Sequence, residues 1–396
     1  MNDLKNEVRV MRYLLYNQNQ PFMDVEVQNL QITKIHELLN IDYAPIQLTS
    51  LSATQPATLL AATNDWLFSR SIPVQRKHLH QLLKNMRARS TKELLFKAHG
   101  MSLSDQYWLK EKESEVKWQE MNFFENDFPY VNTLNTVFHP RTSNMFLYPH
   151  SPINTTEGLL PKCWIIEDEL RLLVKGIVLP SRQEPLNEWL ATQIAQRLGF
   201  EHCAYSLMVY DNQILSKCAN ALTKDQEFIP ADQLFQAYPP ANQTDAFNHY
   251  IQLLEANGLT QARIELENML ILDYLLMNYD RHLRNFGIIR NVQTLKWEKI
   301  MPLFDHGHAM NADRIDSQMD FNDRKVKFFM DEAFPLAEFP KLISQPSRIN
   351  LEALADLPQR YQEMLAYVAK YGYVTSERAK LLVNGLICRI TSLKQS

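Results

Sequence analysis

Three polar residues in the second half of the chain have the types and spacing that phosphoryl transfer requires. Asp280 and Asn285 stand five positions apart in MNYDRHLRNFGII, which follows a long apolar stretch, and Asp305 ends the apolar run MPLFD. Such chemistry needs a carboxylate to orient the attacking hydroxyl and oxygen ligands to hold magnesium against nucleotide phosphates. The pattern therefore predicts Asp280 as the catalytic carboxylate and Asn285 and Asp305 as magnesium ligands.

The segment between these residues determines whether they can meet. GIIRNVQTLKWEKIMPLF reads as a β-hairpin, which would fold Asp305 back towards Asn285. A carboxylate at the end of a buried strand, exposed by a tight turn at Gly307, suits metal chelation beside phosphates. We expect the three side chains to form one cluster.

A lysine and a glutamate nearer the middle of the chain complement this cluster. Lys175 ends the apolar run LRLLVK, and Glu188 lies near the start of the next helical segment. The ammonium could reach nucleotide phosphates, with the carboxylate as the partner that orients it. Alternatively, Lys175 extends to water at a sheet edge and Glu188 simply favours a helix N-terminus.

A turn upstream of this lysine offers a cover for phosphates. SPINTTEGLLPKCWI places Thr155, Thr156 and Gly158 before a strand, where hydroxyls and backbone N–H groups could face an anion. Neither GxGxxG nor GxxxxGK[ST] occurs in the chain, which argues against a standard protein kinase or a Walker-type ATPase.

Histidines near the aspartates leave a second chemistry open. His282, His306 and His308 could join the two aspartates in a hydrolase that binds zinc, manganese or iron. Such an enzyme has no use for the lysine–glutamate pair. The preferred interpretation is that His282 braces its loop by hydrogen bonding to the backbone and that His308 is a turn residue.

Hydrophobic periodicity predicts an α+β protein. Residues 10–29 read as a hairpin, QITKIHELLN as a short helix, and the stretch from Ser52 to Gly100 as further helices. An irregular aromatic segment over 101–150 precedes the order strand, strand, helix, strand, strand, and helices dominate beyond Phe228.

This order predicts a two-lobed α+β fold with a small β-rich lobe and a larger helical lobe. The expected boundaries are an N-terminal hairpin and helical region over 1–100, the small lobe with its leading segment over 101–220, and the catalytic lobe over 221–396. No catalytic role is assigned to the N-terminal region.

Composition limits the cellular setting. The 396 residues are 45% hydrophobic with a net charge of −4, so no broad basic face for nucleic acid or anionic membranes is indicated. The four cysteines are scattered, which favours a reducing compartment, and no apolar run is long enough to span a membrane. We predict a cytoplasmic protein, with export by a specialised secretion system left open.

Six motifs together resemble those of the HipA-like kinase family, in the variant whose catalytic loop reads DRHxxNFG. They are INTTEGLLPK, LLVK, NEWLATQIAQRLG, EFIPADQLF, DYLLMNYDRHLRNFGII and PLFDHG. The resemblance covers roughly residues 140–390 and extends distantly to phosphatidylinositol kinases. It implies a two-lobed, protein-kinase-like fold and a serine/threonine protein kinase that uses ATP and Mg²⁺ and phosphorylates itself.

The resemblance also implies roles for individual residues. Asp280 matches the catalytic aspartate, Asn285 and Asp305 the magnesium ligands, Asp273 a supporting residue, and Ser216 to Asn220 the hinge that receives adenine. The implied cofactor-contacting residues are Thr155, Thr156, Gly158, Lys162, Lys175, Glu188, Cys218 and His282.

Two departures from the family pattern leave other functions open. His306 stands where many kinases have phenylalanine, and the phosphate-covering loop has little glycine or serine. The sequence DHGH suggests one alternative, a lipid or small-molecule kinase, and the other is a catalytically weak nucleotide-binding regulator or toxin partner. A protein substrate and a regulatory protein partner are expected, and Ser317 is more simply part of a solvated loop than a phosphorylation site.

Overall fold

The structure is a computed structural model. It describes residues 10–52, 55–76, 78–139, 150–156, 158–177, 182–242 and 245–395. Glu157, inside the predicted phosphate-covering loop, and the end of the aromatic segment over 140–149 lie outside the described residues.

Four antiparallel strands form a sheet at the N-terminal end, in the order β3-β2-β1-β4. They are β1 Val10–Asn17, β2 Gln20–Gln28, β3 Gln31–Leu38 and β4 Tyr107–Glu111. The predicted hairpin is confirmed as β1 and β2.

The prediction of a short helix over QITKIHELLN is wrong, because this segment is strand β3. Asn29 and Leu30 adopt positive φ and form a tight turn that returns the chain along β2, with Met23 opposite Leu38 at the far end. Backbone pairing with β2 and burial of Ile32 outweigh the local helix preference of Glu-Leu-Leu.

Helices fill most of the interval from Ser52 to Gly100, as predicted. The helices of the N-terminal region are α1 Ile46–Thr49, α2 Pro56–Ser69, α3 Leu79–Asn85 and α4 Thr91–Lys97. The Ser90 hydroxyl accepts a hydrogen bond from the N–H of Glu93 at the start of α4, and Gly100 follows its end at φ +66°.

The aromatic segment is more regular than predicted. It contributes β4 to the N-terminal sheet, then α5 Trp118–Met121 and α6 Val131–Phe138. Tyr107 in β4 packs edge-to-face against Phe22 and Trp66, so its aromatic side chains complete the core of the N-terminal region.

A second antiparallel sheet has the predicted order of elements and the spatial order β5-β6-β8-β7. Its elements are β5 Lys162–Glu167, β6 Leu170–Lys175, α7 Glu184–Leu198, β7 Ser206–Tyr210 and β8 Gln213–Ala219. Gly199 ends α7 at φ +71°. Ile72 and Leu82 of the N-terminal region share a core with Cys163 and Val174 of this sheet.

Helices dominate the rest of the chain. They are α8 Ala231–Ala237, α9 Ala246–Ala256, α10 Ala262–Leu276, α11 Leu357–Ala369 and α12 Ser376–Gln395. Nearly every residue of the second half of α10 is buried, which agrees with its apolar character on most faces.

The predicted hairpin after the polar bend is present as β10 Gly287–Asn291 and β11 Trp297–Ile300. β9 Gln226–Pro230 pairs with the other edge of β10, and β12 Lys325–Phe328 pairs with β13 Asp331–Pro335. The run MPLFD is not the strand that its sequence suggested. Within it only Leu303 forms an isolated bridge, to His202, because β11 has already ended at Ile300.

The described residues therefore form a mixed α+β fold. It contains two four-stranded sheets, β3-β2-β1-β4 and β5-β6-β8-β7, followed by a mainly helical part. The divisions at residues 100 and 220 remain predictions. None of the helices in the described ranges combines the length and apolar character needed to cross a bilayer.

Candidate active site

The bend that carries Asp280 begins where α10 ends. Met277 takes a left-handed conformation with φ 50°, which turns the chain out of the helix. Asn278 then donates from its backbone N–H to the Asp273 carbonyl at 2.9 Å and from Nδ2 to the Asp273 carboxylate at 2.8 Å. Both bonds fix the bend against the last turn of α10.

Arg281 joins the bend to the segment that carries Asp305. Its guanidinium donates two 2.9 Å hydrogen bonds to the carboxylate of Asp273, which is itself fully buried. Nη1 donates to two backbone carbonyls, those of Asn285 and Phe304, each at 2.8 Å. One buried side chain therefore holds the Asn285 backbone next to the residue that precedes Asp305.

Asp280 and Asn285 contact one another within this bend. Nδ2 of Asn285 donates to the Asp280 carbonyl at 3.0 Å, and the backbone N–H of Asn285 donates to the His282 carbonyl at 2.8 Å. Asn285 is buried, whereas 37% of the Asp280 side chain is exposed. The bend thus holds an amide inward and presents a carboxylate to solvent.

His308 occupies one oxygen of that carboxylate. Its Nδ1 lies 3.0 Å from Oδ2 of Asp280, and its ring stacks on Tyr279 with a centroid separation of 5.9 Å. The hydrogen bond to Asp280 raises the pKa of His308 above its ordinary value, and partial burial opposes this shift. The prediction that His308 is only a turn residue is therefore wrong.

Lys175 bridges two carboxylates from distant parts of the chain. Nζ lies 2.8 Å from Oε1 of Glu188 in α7 and 2.7 Å from Oδ1 of Asp305. Lys175 and Glu188 are almost fully buried, while the Asp305 side chain is 31% exposed. The alternative in which the lysine extends to water is excluded by this burial.

Electrostatics keep all three groups charged. Burial alone would raise the pKa of Asp305, but the Lys175 ammonium, with help from Lys162, holds it well below its usual range. Burial likewise opposes charge on Lys175, yet the two carboxylates raise its pKa above the ordinary value. Burial also opposes charge on Glu188, but the same ammonium and the hydrogen bond from His306 together lower the pKa of that carboxyl.

The start of α7 also fixes the segment from Asp305 to Met310. Oε2 of Glu188 accepts the His306 backbone N–H at 3.0 Å, and Nδ2 of Asn187 donates to the carbonyls of Gly307 and Ala309 at 2.7 and 2.9 Å. Only a glycine fits easily at 307, because a Cβ there would lie 3.2 Å from Cβ of Glu184. Glu188 therefore orients both the lysine and the backbone that follows Asp305.

The two other histidines, His282 and His306, are partly or fully buried within the site. Nδ1 of His282 accepts the Arg284 backbone N–H at 3.3 Å, which confirms the predicted bracing of the loop, and burial lowers the pKa of His282. His306 is buried, and burial lowers its pKa too. Neither ring nitrogen of His306 has a hydrogen-bond partner among the described residues.

The threonines of the predicted phosphate-covering loop are buried and already engaged. The Thr155 hydroxyl donates to the Met101 carbonyl at 2.6 Å, and the Thr156 hydroxyl donates to the Ile153 carbonyl at 2.9 Å. Neither hydroxyl proton is available to a phosphate in this arrangement, because Thr155 donates to a residue before the loop and Thr156 donates back into the short 3₁₀ turn Pro152–Thr155.

Gly158 and Lys162 lie closer to the charged cluster. Gly158 has φ +80°, and a Cβ at this position would lie only 2.8 Å from Nζ of Lys162. Lys162 pairs with Lys175 across β5 and β6, and its charge lowers the pKa of Asp305. The lysine at the end of the loop thus faces the same carboxylate as Lys175.

The predicted adenine-receiving stretch runs along β8 beside Lys175. Cys218 lies opposite Leu173 and Ser216 opposite Lys175, so Cys218 shares the face of the sheet that carries the lysine. Burial raises the pKa of the Cys218 thiol to about 11. A cavity of about 250 Å³ adjoins the end of this stretch, and its lining includes Arg171, Ala219, Asn220 and Leu222.

The donor set fits magnesium better than a transition metal. Asp305 keeps its second oxygen free of hydrogen bonds within the described residues, and carboxylate and amide oxygens are ligands that Mg²⁺ accepts. No three His, Cys, Asp or Glu side chains of the described ranges are grouped as a metal cluster.

Sequence reasoning missed several residues that build the site. Arg281 and Asn187 act through backbone carbonyls of residues distant in sequence, so no local pattern identified them. His308 carried a weak signal, since the sequence DHGH places it three residues after Asp305. Arg76 of the N-terminal region contacts the predicted phosphate-covering loop and had no signal at all.

Comparisons with known proteins agree with this architecture. A family model described as the HipA-like C-terminal domain matches residues 155–369, and no curated protein matches the chain. The HipA structure from a Shewanella oneidensis MR-1 toxin–antitoxin complex of HipA, HipB and operator DNA is similar over 97% of both chains, with 11% identity and a TM-score of 0.55. That likeness indicates a shared fold.

A second solved structure is similar to part of the chain. The Helicobacter pylori proinflammatory kinase CtkA matches 59% of this chain and 93% of its own, with 17% identity and a TM-score of 0.45. The family match is the stronger finding, because it spans more than half of the chain and includes Lys175, Glu188 and the bend from Asp280 to Asn285. The chain belongs to the HipA-like C-terminal domain family.

Proposed function

We propose that this protein is a Mg-ATP-dependent kinase that phosphorylates serine or threonine residues of a protein and also phosphorylates itself. The observation that carries the proposal is the bridge from Lys175 to both Glu188 and Asp305, held next to the Asp280 bend by Arg281. Membership of the HipA-like family supports it.

The residues have complementary tasks in such a transfer. The acceptor hydroxyl oxygen bonds to the γ-phosphorus, the bond from that phosphorus to the β–γ bridging oxygen breaks, and ADP leaves. The Asp280 carboxylate orients the hydroxyl and takes its proton. Lys175 and Lys162 stabilise negative charge on the phosphates, and Glu188 keeps Lys175 in place.

Asn285 and Asp305 would hold Mg²⁺. The ion, when bound, neutralises charge that develops on the phosphates. Asp305 is suited to this role because the lysine holds its carboxyl in the charged form and part of its side chain reaches solvent.

A transfer assay with labelled γ-phosphate tests the proposal. Asp280→Ala and Asp305→Ala should each lower incorporation by about 10²–10⁴-fold, the usual effect of losing a general base or an equivalent group. Glu113→Ala is the matched control. Glu113 lies in an exposed turn, distant in sequence from Asp280 and Asp305, and its loss should leave incorporation unchanged. Equal incorporation by all four proteins would refute the kinase assignment.

The acceptor class requires a separate comparison. Protein and phosphoinositide acceptors should be offered to the same enzyme, and label on protein alone is the expected result. Label on lipid alone would favour the lipid kinase.

A catalytically weak nucleotide-binding regulator is a second candidate. Two observations favour it. His308 is hydrogen bonded to the Asp280 carboxylate, and the hydroxyls of Thr155 and Thr156 already donate to backbone carbonyls. Calorimetry would identify it by Mg-ATP binding without turnover. The proposal for either function includes a regulatory protein partner and a cytoplasmic location, consistent with four cysteines that form no disulfide.

A further inference from the structure

We propose that Arg76 of the N-terminal region positions the phosphate-covering loop and thereby sets the affinity for Mg-ATP. The loop is defined here by Thr155, Thr156, Gly158 and Lys162. The inference rests on the proposed function, and it gives the N-terminal region a role in nucleotide binding.

The guanidinium of Arg76 contacts the loop at Thr156 and at Gly158. Nε and Nη2 donate to the Gly158 carbonyl at 3.1 and 2.7 Å, and Nη1 donates to the Thr156 hydroxyl oxygen at 2.7 Å. Nη2 also donates to the Thr156 carbonyl. Only 6% of Arg76 is exposed, so these charge-assisted bonds form away from bulk water.

The segment that carries Arg76 is itself fixed. Ile72 is buried in the core that includes Ile153 and Cys163, and the Arg76 backbone N–H donates to the Pro73 carbonyl at 3.0 Å. The Met101 carbonyl accepts the Thr155 hydroxyl at 2.6 Å. Residues earlier in the chain therefore hold the loop at Thr155, Thr156 and Gly158.

The loop connects this anchor to the charged cluster. Gly158, whose carbonyl Arg76 binds, lies against Nζ of Lys162, and the Lys162 charge acts on Asp305. A displacement of the Gly158 backbone would move this ammonium relative to the site that would receive the phosphates. Arg76 acts through other residues, so its loss should weaken nucleotide binding more than it slows the chemical step.

Arg76→Lys tests this inference because it keeps the charge and removes the planar fork. The dissociation constant for Mg-ATP, measured by calorimetry on the full chain, should rise by about tenfold, or about 1.4 kcal/mol. The KM for ATP should rise in parallel while kcat stays near the wild-type value. Hydrogen exchange should become faster in the peptide that contains the loop and stay unchanged in α10.

Arg70→Lys is the matched control. Arg70 is also buried, and its guanidinium also donates several hydrogen bonds. Its acceptors are the Gly100 carbonyl and the Asp105 carboxylate, both outside the loop. It should lower the unfolding temperature without changing Mg-ATP affinity. An equal loss of affinity in both variants would mean general destabilisation and would overturn the inference.

Two further results separate the inference from the proposed function. Wild-type protein that binds no Mg-ATP overturns the proposed function, whereas Arg76→Lys that binds as tightly as wild type overturns only the inference. If Arg76→Lys does not fold, Gly158→Ala perturbs the same loop from its other side, through its φ of +80° and the contact with Lys162. Unchanged affinity in that variant would also overturn the inference.

Discussion

Arg281 and Asp273 form a buried, two-pronged ion pair eight residues apart, with both bonds at 2.9 Å. The carboxylate lies on α10, and the guanidinium reaches from the bend to the carbonyls of Asn285 and Phe304. Burial opposes charge on Arg281, but Asp273 outweighs it and raises the arginine pKa. This pair holds together the two chain segments that carry the proposed magnesium ligands.

Asp273→Asn should therefore destabilise the protein strongly. Removing one partner of a buried ion pair leaves an uncompensated charge and typically costs about 3–5 kcal/mol. Urea unfolding at neutral pH would measure the loss, and phosphate transfer should fall with it because Asn285 loses its support. Asp356→Asn removes a carboxylate from an exposed pair with Arg197 and should change stability little. Similar midpoints for the two variants would contradict this account.

Lys175→Met should lower the free energy of unfolding, because it removes the cation that the two carboxylates share. Glu188 and Asp305 would be left buried or half-buried without their cation, and we expect a loss of about 3–5 kcal/mol at neutral pH. Lys217→Met, which removes a lysine from an exposed pair with Glu167, serves as the control. Unfolding of both variants in urea would give the comparison.

The same variant predicts a pH dependence with a defined sign. The folded-state pKa values of Asp305 and Glu188 are lowered, so their stabilising contribution is present above the unfolded-state values of about 4 and is lost as the pH falls further. The difference in stability between wild type and Lys175→Met should thus be largest near neutrality and shrink in acid. A constant difference across this range would argue against the bridge.

The contacts that sequence could predict were those carried by local patterns. A lone lysine at the end of an apolar strand and a glutamate in the next helix indicated the Lys175–Glu188 pair, and hairpin periodicity indicated β10 and β11. The bracing role of His282 followed from its place in the bend. In each case the partner lies nearby in sequence or in an adjacent element.

The contacts that sequence missed depend on tertiary proximity. Arg76 meets Gly158 across 82 positions, and Arg281 meets the Phe304 carbonyl across 23. A backbone carbonyl has no sequence signature, so neither contact could be read from residue types. β3 was mistaken for a helix for the same reason, because its pairing with β2 is a tertiary preference that outweighs local propensity.

Gly287→Ala should disturb the strand pair that supports the bend. A Cβ at this position would lie 2.1 Å from the Ile229 carbonyl oxygen, so β9 and β10 would have to separate. Asn285 lies two residues earlier, and we expect loss of both stability and phosphate transfer. Gly258→Ala is the control, because its φ of +94° strains the backbone but its Cβ would meet open space. A smaller loss of stability in Gly287→Ala than in Gly258→Ala would contradict the close packing of these strands.

The His308–Asp280 pair predicts how activity depends on pH. The pKa of His308 is raised by its bond to Asp280, while Tyr279 stacks on the ring and the charges of Glu184 and Asp305 add to the shift. Below the unfolded-state value of about 6.5, the charged imidazole stabilises the fold fully through Asp280, and this contribution is lost as pH rises through the folded-state pKa. Because the same contact restrains Asp280, phosphate transfer should rise over that interval.

His308→Asn should abolish this part of the pH profile. Its rate should exceed that of wild type below the folded-state pKa of His308 and approach the wild-type rate above it, since the charged imidazole restrains the carboxylate more strongly than the neutral ring does. Its stability relative to wild type should recover over the same interval. His36→Asn is the control. It removes a histidine that is likewise paired with a carboxylate, that of Glu26 in the N-terminal sheet, and it should leave the pH dependence of activity unchanged. If phosphate transfer by His308→Asn depended on pH as it does in wild type, a group other than His308 would be responsible for the pH dependence.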